Sequence, residues 1–122
     1  MENATWSSLF LVAAVVALPF GSAFSQPGNH IDVPSDPIGR YSEVEGKRIT
    51  PAVVEILTRR EAKPGTSYSV RDIDCVQWTF RYSGEGNTIG EAKARKPPNQ
   101  MVPLTKGSIS TDIADYACGN VK

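Results

Sequence analysis

Histidine and cysteine are scarce in this chain: 122 residues contain one histidine, His30, and two cysteines, Cys75 and Cys118. A lone histidine in a Gly/Pro-rich stretch leaves no Ser/His/Asp or Cys/His device to build. No C-x-x-C pair occurs, which removes the common redox and zinc signatures. Net charge is absent too, with 13 basic and 13 acidic residues. A balanced chain sets up no strong field to draw it onto nucleic acid or anionic lipid, so neither is an expected partner. The longest apolar run, Leu9 to Phe20, has twelve residues. A membrane-spanning helix needs roughly 20.

What is present begins with that run. It is followed by "GSAFSQ", with Ala23 and Ser25 at the small-residue positions of a cleavage site. This is the layout of a secretory signal peptide over residues 1–25, although "MENATWSS" carries no Lys or Arg. Cleavage after Ser25 is the first choice and after Ala23 the second. The rival reading is a membrane anchor, which the short run, Pro19 and Gly21 disfavour. No cysteine lies near the cut, so no lipid anchor and no membrane span are expected after cleavage. The remaining 97 residues carry a formal charge of +1, because Glu2 leaves with the leader. They make one domain with a modest core.

Both cysteines follow the leader and so enter an oxidising compartment, periplasmic or extracellular. An even count there reads as a disulfide, and two cysteines allow one intramolecular pairing, Cys75–Cys118. A reactive thiol or metal ligand is the alternative. It lacks supporting neighbours, and no metal or cofactor is expected.

Along the mature chain, residues 26–39 hold three prolines and two glycines. They read as an extended lead-in with little to bury and with His30 in solvent; residues 40–122 form the domain. "RYSEVEGKRITP" suggests a short hairpin turning at Glu45-Gly46-Lys47. Over Ala52–Glu61, Val54, Ile56 and Thr58 alternate with Glu55, Leu57 and Arg59 between Pro51 and Pro64-Gly65. A strand is preferred there, with a helix as competitor. Thr66–Ser83 carries the strongest strand signal, with Val76, Trp78, Phe80 and Tyr82 on one face. That row is the expected buried face of an antiparallel sheet, or else an exposed aromatic binding strip.

"GEGN", Gly84 to Asn87, reads as a turn, and Thr88–Ala94 as a short returning edge strand. Gly84-x-Gly86 lacks the third glycine and the Lys-Ser/Thr pair of a phosphate loop. Lys93, Arg95 and Lys96 are the only dense basic cluster. They read as the charged start of a Pro-rich loop or, more sharply, as a contact for an anionic partner such as polysaccharide. Finally Ser108 caps a helix with Asp112 in its first turn. Ile109, Ile113, Tyr116 and Ala117 share a face, and Gly119 is the expected C-cap. So short a helix needs docking, and the disulfide would pin it to the sheet margin. The fold class is α+β: a small antiparallel sheet with a C-terminal helix tied to it by one disulfide.

Asp74-Cys75, aromatic strand residues, a glycine-containing turn, and then P-x-x-x-G-S from Pro103 to Ser108 leading into a helix ending Tyr116-Ala117-Cys118 form a pattern. It resembles the surface-adhesin protein E-like family of proteobacteria, over roughly Ser67 to Gly119. The resemblance implies the same sheet, helix and disulfide. It also implies a small exported protein, the named adhesin being a host-matrix binder of the cell surface. The matching positions Asp74, Cys75, Gly107, Ser108 and Cys118 all read as structural, so no functional residue carries over. The chain lacks the adhesin's lipid-attachment cysteine.

For function, catalysis would rest on Asp72 and Asp74, which share a strand face as a carboxylate pair. Such pairs are usually solvated, so no enzyme is expected. The expected role is a non-enzymatic exported binding protein of the bacterial envelope, adhesin-like, with a protein or polysaccharide partner. A periplasmic inhibitor or accessory subunit is the alternative.

Overall fold

A computed structural model describes residues 28–94 and 100–122. The signal-peptide reading of 1–25 and the basic residues Arg95 and Lys96 lie outside the described residues. Six strands, β1 (His30–Ile31), β2 (Arg40–Arg48), β3 (Val53–Ala62), β4 (Gly65–Asp74), β5 (Thr79–Gly86) and β6 (Val102–Pro103), pair antiparallel in chain order. Helix α1 (Ile89–Lys93) and helix α2 (Ile109–Asn120) complete the α+β fold.

The alternation in β3 decides the layering. Val54, Ile56 and Thr58 are buried towards α2, together with Ile73 of β4 and Ile113, Ala114 and Ala117 of the helix. Leu57 and Val70 turn to the other face and pack with Ala92 of α1. The sheet is therefore covered by α2 on one face and by the small α1 on the other.

Helix α2 starts as the sequence indicates, with Ser108 accepting from the Thr111 amide and Asp112 in the first turn. It ends later: Gly119 lies inside the helix and Val121 is the C-cap. The Cys75–Cys118 disulfide is formed, with Cα atoms 5.8 Å apart. Cys75 opens the β4–β5 turn, so the bridge runs around the margin of the sheet, as the facing of the two cysteines requires.

Four further readings are corrected. The described part of the lead-in, residues 28–39, is more than a lead-in: Ile31 and Val33 are buried in the α2 core, and Ser35 donates from its amide and hydroxyl to Asp112 at 3.0 and 2.6 Å. The domain thus begins before Arg40. Second, "RYSEVEGKR" is one strand, and Glu45-Gly46-Lys47 is not a turn. A bulge at Glu43/Glu45 bends it, and a Cβ at Gly46 would lie 2.9 Å from a Val121 methyl, so that glycine admits the C-terminus.

Third, the Thr66–Ser83 run is two strands. Asp74 Oδ1 accepts from the amides of Val76 and Gln77, and the Trp78 amide donates to the Asp74 carbonyl. This closes a four-residue turn with Trp78 at φ 60°, a left-handed angle that a bulky side chain adopts only under outside constraint. Trp78 and Cys75 supply it by packing on the core. Val76 is consequently exposed on the turn.

Fourth, Gly84 and Gly86 are strand residues, and Thr88–Ala94 is not a strand: Thr88 caps α1. A Cβ on Gly84 would stand 1.8 Å from the Ala92 carbonyl oxygen, so bare backbone is what lets α1 lie on β5. Two glycine replacements are therefore expected to have opposite signs. Gly84→Ala displaces α1 and costs about 1–3 kcal/mol. Gly119→Ala meets nothing within 4 Å on a helix and adds about 0.4–1 kcal/mol. Urea unfolding of both variants, with amide exchange across α1, checks this.

Candidate functional site

On the α2 face, the core side chains stop part-way along the strands. Moving up β4 from Ile73 with period two, the same face presents Arg71, Ser69 and Ser67. Beside them stand Thr58 and Arg60 on β3, Tyr41 on β2 and Tyr82 on β5. Helix α2 starts only at Ile109, so it leaves this end of the sheet uncovered. The result is an open polar cleft of about 380 Å³.

Arg71 forms its floor and is only 4% exposed. Its Nε donates to Ser110 Oγ at 3.0 Å, one terminal nitrogen to Thr58 Oγ1 at 3.3 Å and the other to Tyr82 Oη at 3.0 Å. The guanidinium carbon lies 4.7 Å from the Tyr82 ring centre, within cation–π range. No described carboxylate is paired with it.

The cleft wall is a second cluster. Arg60 Nε donates to Asp36 Oδ2 at 2.7 Å and to Tyr41 Oη at 3.1 Å, and the Tyr41 hydroxyl donates to the same carboxylate oxygen at 2.7 Å. The bond from Arg60, and then that from Tyr41, holds Asp36 below its ordinary 3.8. Arg60 is raised in turn, first by the Asp36 bond. Burial, reinforced by the Asp36 carboxylate, pushes Tyr41 up from 10.0 to about 12.

The signs set a pH dependence. The unfolded chain releases the Tyr41 proton near 10.0 while the folded chain keeps it to about 12, so this contribution is complete below 10.0 and falls away across that window. Asp36 acts oppositely: its contribution is present above 3.8 and disappears as pH falls through its lowered value. Absorbance titration of the phenols is expected to show a late phase near 12, and Tyr41→Phe is expected to remove it.

Those residues singled out in the sequence that are described lie elsewhere. Lys93 Nζ donates to Glu45 Oε2 at 2.7 Å, joining α1 to β2. It borders a smaller recess of about 200 Å³, where Glu45 and Glu55 meet Lys47 and Lys93 and the charges balance. Asp72 Oδ2 accepts from Arg81 Nε at 3.1 Å, and Asp74 holds the turn. The candidate carboxylate pair is thus engaged in two structural contacts. His30 pairs with Ser42 at the β1 edge and is exposed. Among the described residues, no group of three or more His, Cys, Asp or Glu is placed to hold a metal ion, and no helix is long and apolar enough to cross a membrane, which says nothing of a β-barrel.

Comparison with protein-family models, curated proteins and solved structures finds no match to this chain.

Proposed function

We propose that this chain is an exported, non-enzymatic binding protein of the bacterial envelope, adhesin-like in the sense of the family its C-terminal half resembles, and that its ligand site is the Arg71 cleft. The observation that carries this reading is the cleft itself. Most of its residues stand on adjacent paired strands of one sheet, and only the first turn of the helix that covers the rest of that face borders it. Side chains on paired strands lose little freedom when a ligand arrives, which favours binding. The N-terminal leader pattern and the disulfide support export.

Fractionation of the native cells tests the location, and affinity capture with matrix proteins and cell-wall hydrolases tests the partner. Surface exposure together with matrix binding supports the reading. A soluble periplasmic pool that captures a hydrolase supports the inhibitor or accessory role instead. A cytosolic, unprocessed chain overturns both.

A further inference from the structure

The charge of the cleft limits the chemistry of any ligand it would take. A guanidinium has five N–H donors, and Arg71 uses three on the hydroxyls of Ser110, Thr58 and Tyr82. One N–H on each terminal nitrogen remains. Every partner is neutral, so hydroxyl dipoles and the Tyr82 ring solvate the cation without cancelling it. A buried, uncompensated charge carries a heavy desolvation cost, which an incoming opposite charge relieves.

The carboxylates on this face do not provide that charge. Asp36 is held by Arg60 and Tyr41, Glu43 accepts from the Tyr116 hydroxyl, and Asp112 is held by Ser35. Glu85, opposite Ser69 on β5, is exposed and makes no ion pair with a described residue. Ser67 and Ser69 meanwhile line the cleft, and their hydroxyls have no protein partner among the described residues. They are neutral donors beside a cation.

We infer that the cleft is a carboxylate-binding site, with Arg71 as the ion-pairing group and Ser67 and Ser69 as supporting donors. This rests on the reading of the cleft as the ligand site and adds the chemistry of the ligand. With Arg60 and Asp36 cancelling, the cleft carries one net positive charge, which a carboxylate matches and a phosphate dianion exceeds. A carboxylate's two oxygens also equal in number the two unspent N–H groups on the terminal nitrogens. A purely structural Arg71, bridging β3 and β5 to α2 through hydroxyls, would bind no anion at all.

The test uses the oxidised protein at pH 7 and constant ionic strength, titrated with acetate, glutarate, glucuronate and phosphate against a chloride control. Amide shifts of Ser69, Arg71 and Ser110, and the Arg71 Nε–H resonance, give the readout. Saturable shifts confined to the cleft are expected with the carboxylates. Tighter binding of glutarate than glucuronate marks an acidic peptide-like ligand, and the reverse marks a sugar acid; either result supports the site.

Arg71→Lys keeps the charge and loses the planar fork, so binding is expected to weaken by about tenfold or more. Should Arg71→Lys not fold, Ser69→Asp serves: it places a carboxylate two residues along the same face from Arg71 and is expected to abolish the acetate response in a folded protein. No response beyond chloride, a response unchanged in both variants, or tighter binding of phosphate overturns the inference. Failure here is separable from failure of the broader reading. An envelope partner that binds wild type and Arg71→Lys equally removes the carboxylate site and leaves the binding protein. Saturable acetate binding by a cytosolic chain does the opposite.

Discussion

Replacing Cys75 and Cys118 by serine is expected to lower the unfolding free energy by about 4 kcal/mol, for a loop spanning a sequence separation of 43. In a domain whose whole stability is roughly 5–15 kcal/mol, this is a large share of the total. At about 4–8 °C per kcal/mol for a domain of this size, the midpoint falls by some 15–30 °C. The effect has a definite place. The bridge joins the β4–β5 turn to the last turns of α2, while the first turn is held by Ser108, by Ser35 on Asp112 and by Ser110 on Arg71. Without the bridge, the C-terminal half keeps the packing of Ala117 and the bond from Arg48 to the Val121 carbonyl. The same variant also releases the constraint on Trp78, so protection of the turn amides is expected to fall before that of β3. Thermal unfolding with and without reductant, together with amide exchange, measures both.

The second large effect is at Ile113. It is fully buried between α2 and the sheet, in the cluster that also holds Ile31, Val54, Ile56 and Ile73. Ile113→Ala removes its Cγ1 methylene and both methyl groups and leaves a cavity, and is expected to cost about 2–5 kcal/mol. The paired control is Ile38→Ala. Ile38 is 77% exposed, and its loss is expected to change stability by no more than about 0.5 kcal/mol. Urea unfolding of the pair separates docking of α2 from general loss of apolar surface. A small effect at Ile113 would mean that packing of this side chain is not what docks the helix.

Several elements were legible in the sequence for physical reasons. Strand β3 sets Val54, Ile56 and Thr58 against Glu55, Leu57 and Arg59 between proline-bounded ends, which favours a strand over a helix, and those two sets are the two faces of the sheet. The α2 start is written in Ser108 and Asp112, and the disulfide in the cysteine count. The misreadings share a cause in glycine. Gly46, Gly84 and Gly86 looked like turn formers because glycine permits turns. Here it permits close approach instead, by Val121, Ala92 and Glu91 respectively. Local sequence does not distinguish the two uses, since the approaching atoms come from elsewhere in the chain. The β4–β5 turn was hidden for a related reason: it contains neither glycine nor proline, and is closed by the Asp74 side chain and by a strained Trp78. The family resemblance pointed to the sheet, helix and bridge, but its matching positions lie outside the cleft.

The cleft was the least visible part. Arg71 shares parity with Ile73 on β4, so a core-facing arginine followed outward by Ser69 and Ser67 was a readable departure from an apolar face. What parity does not show is where the covering helix ends. That depends on a segment almost 40 residues later in sequence, and it decides whether such a face is core or cleft. The Lys93 cluster drew notice because its charges are adjacent in sequence, yet Lys93 is paired with Glu45.

Export, trimming of the leader and closure by the chain's own two sulfurs belong to one sequence of events. Intact-mass analysis of the protein isolated from its natural cells, without reductant, tests this in one spectrum. The expected mass corresponds to residues 26–122 less two hydrogens, rising by two hydrogens on reduction. A full-length mass with both thiols free would contradict it.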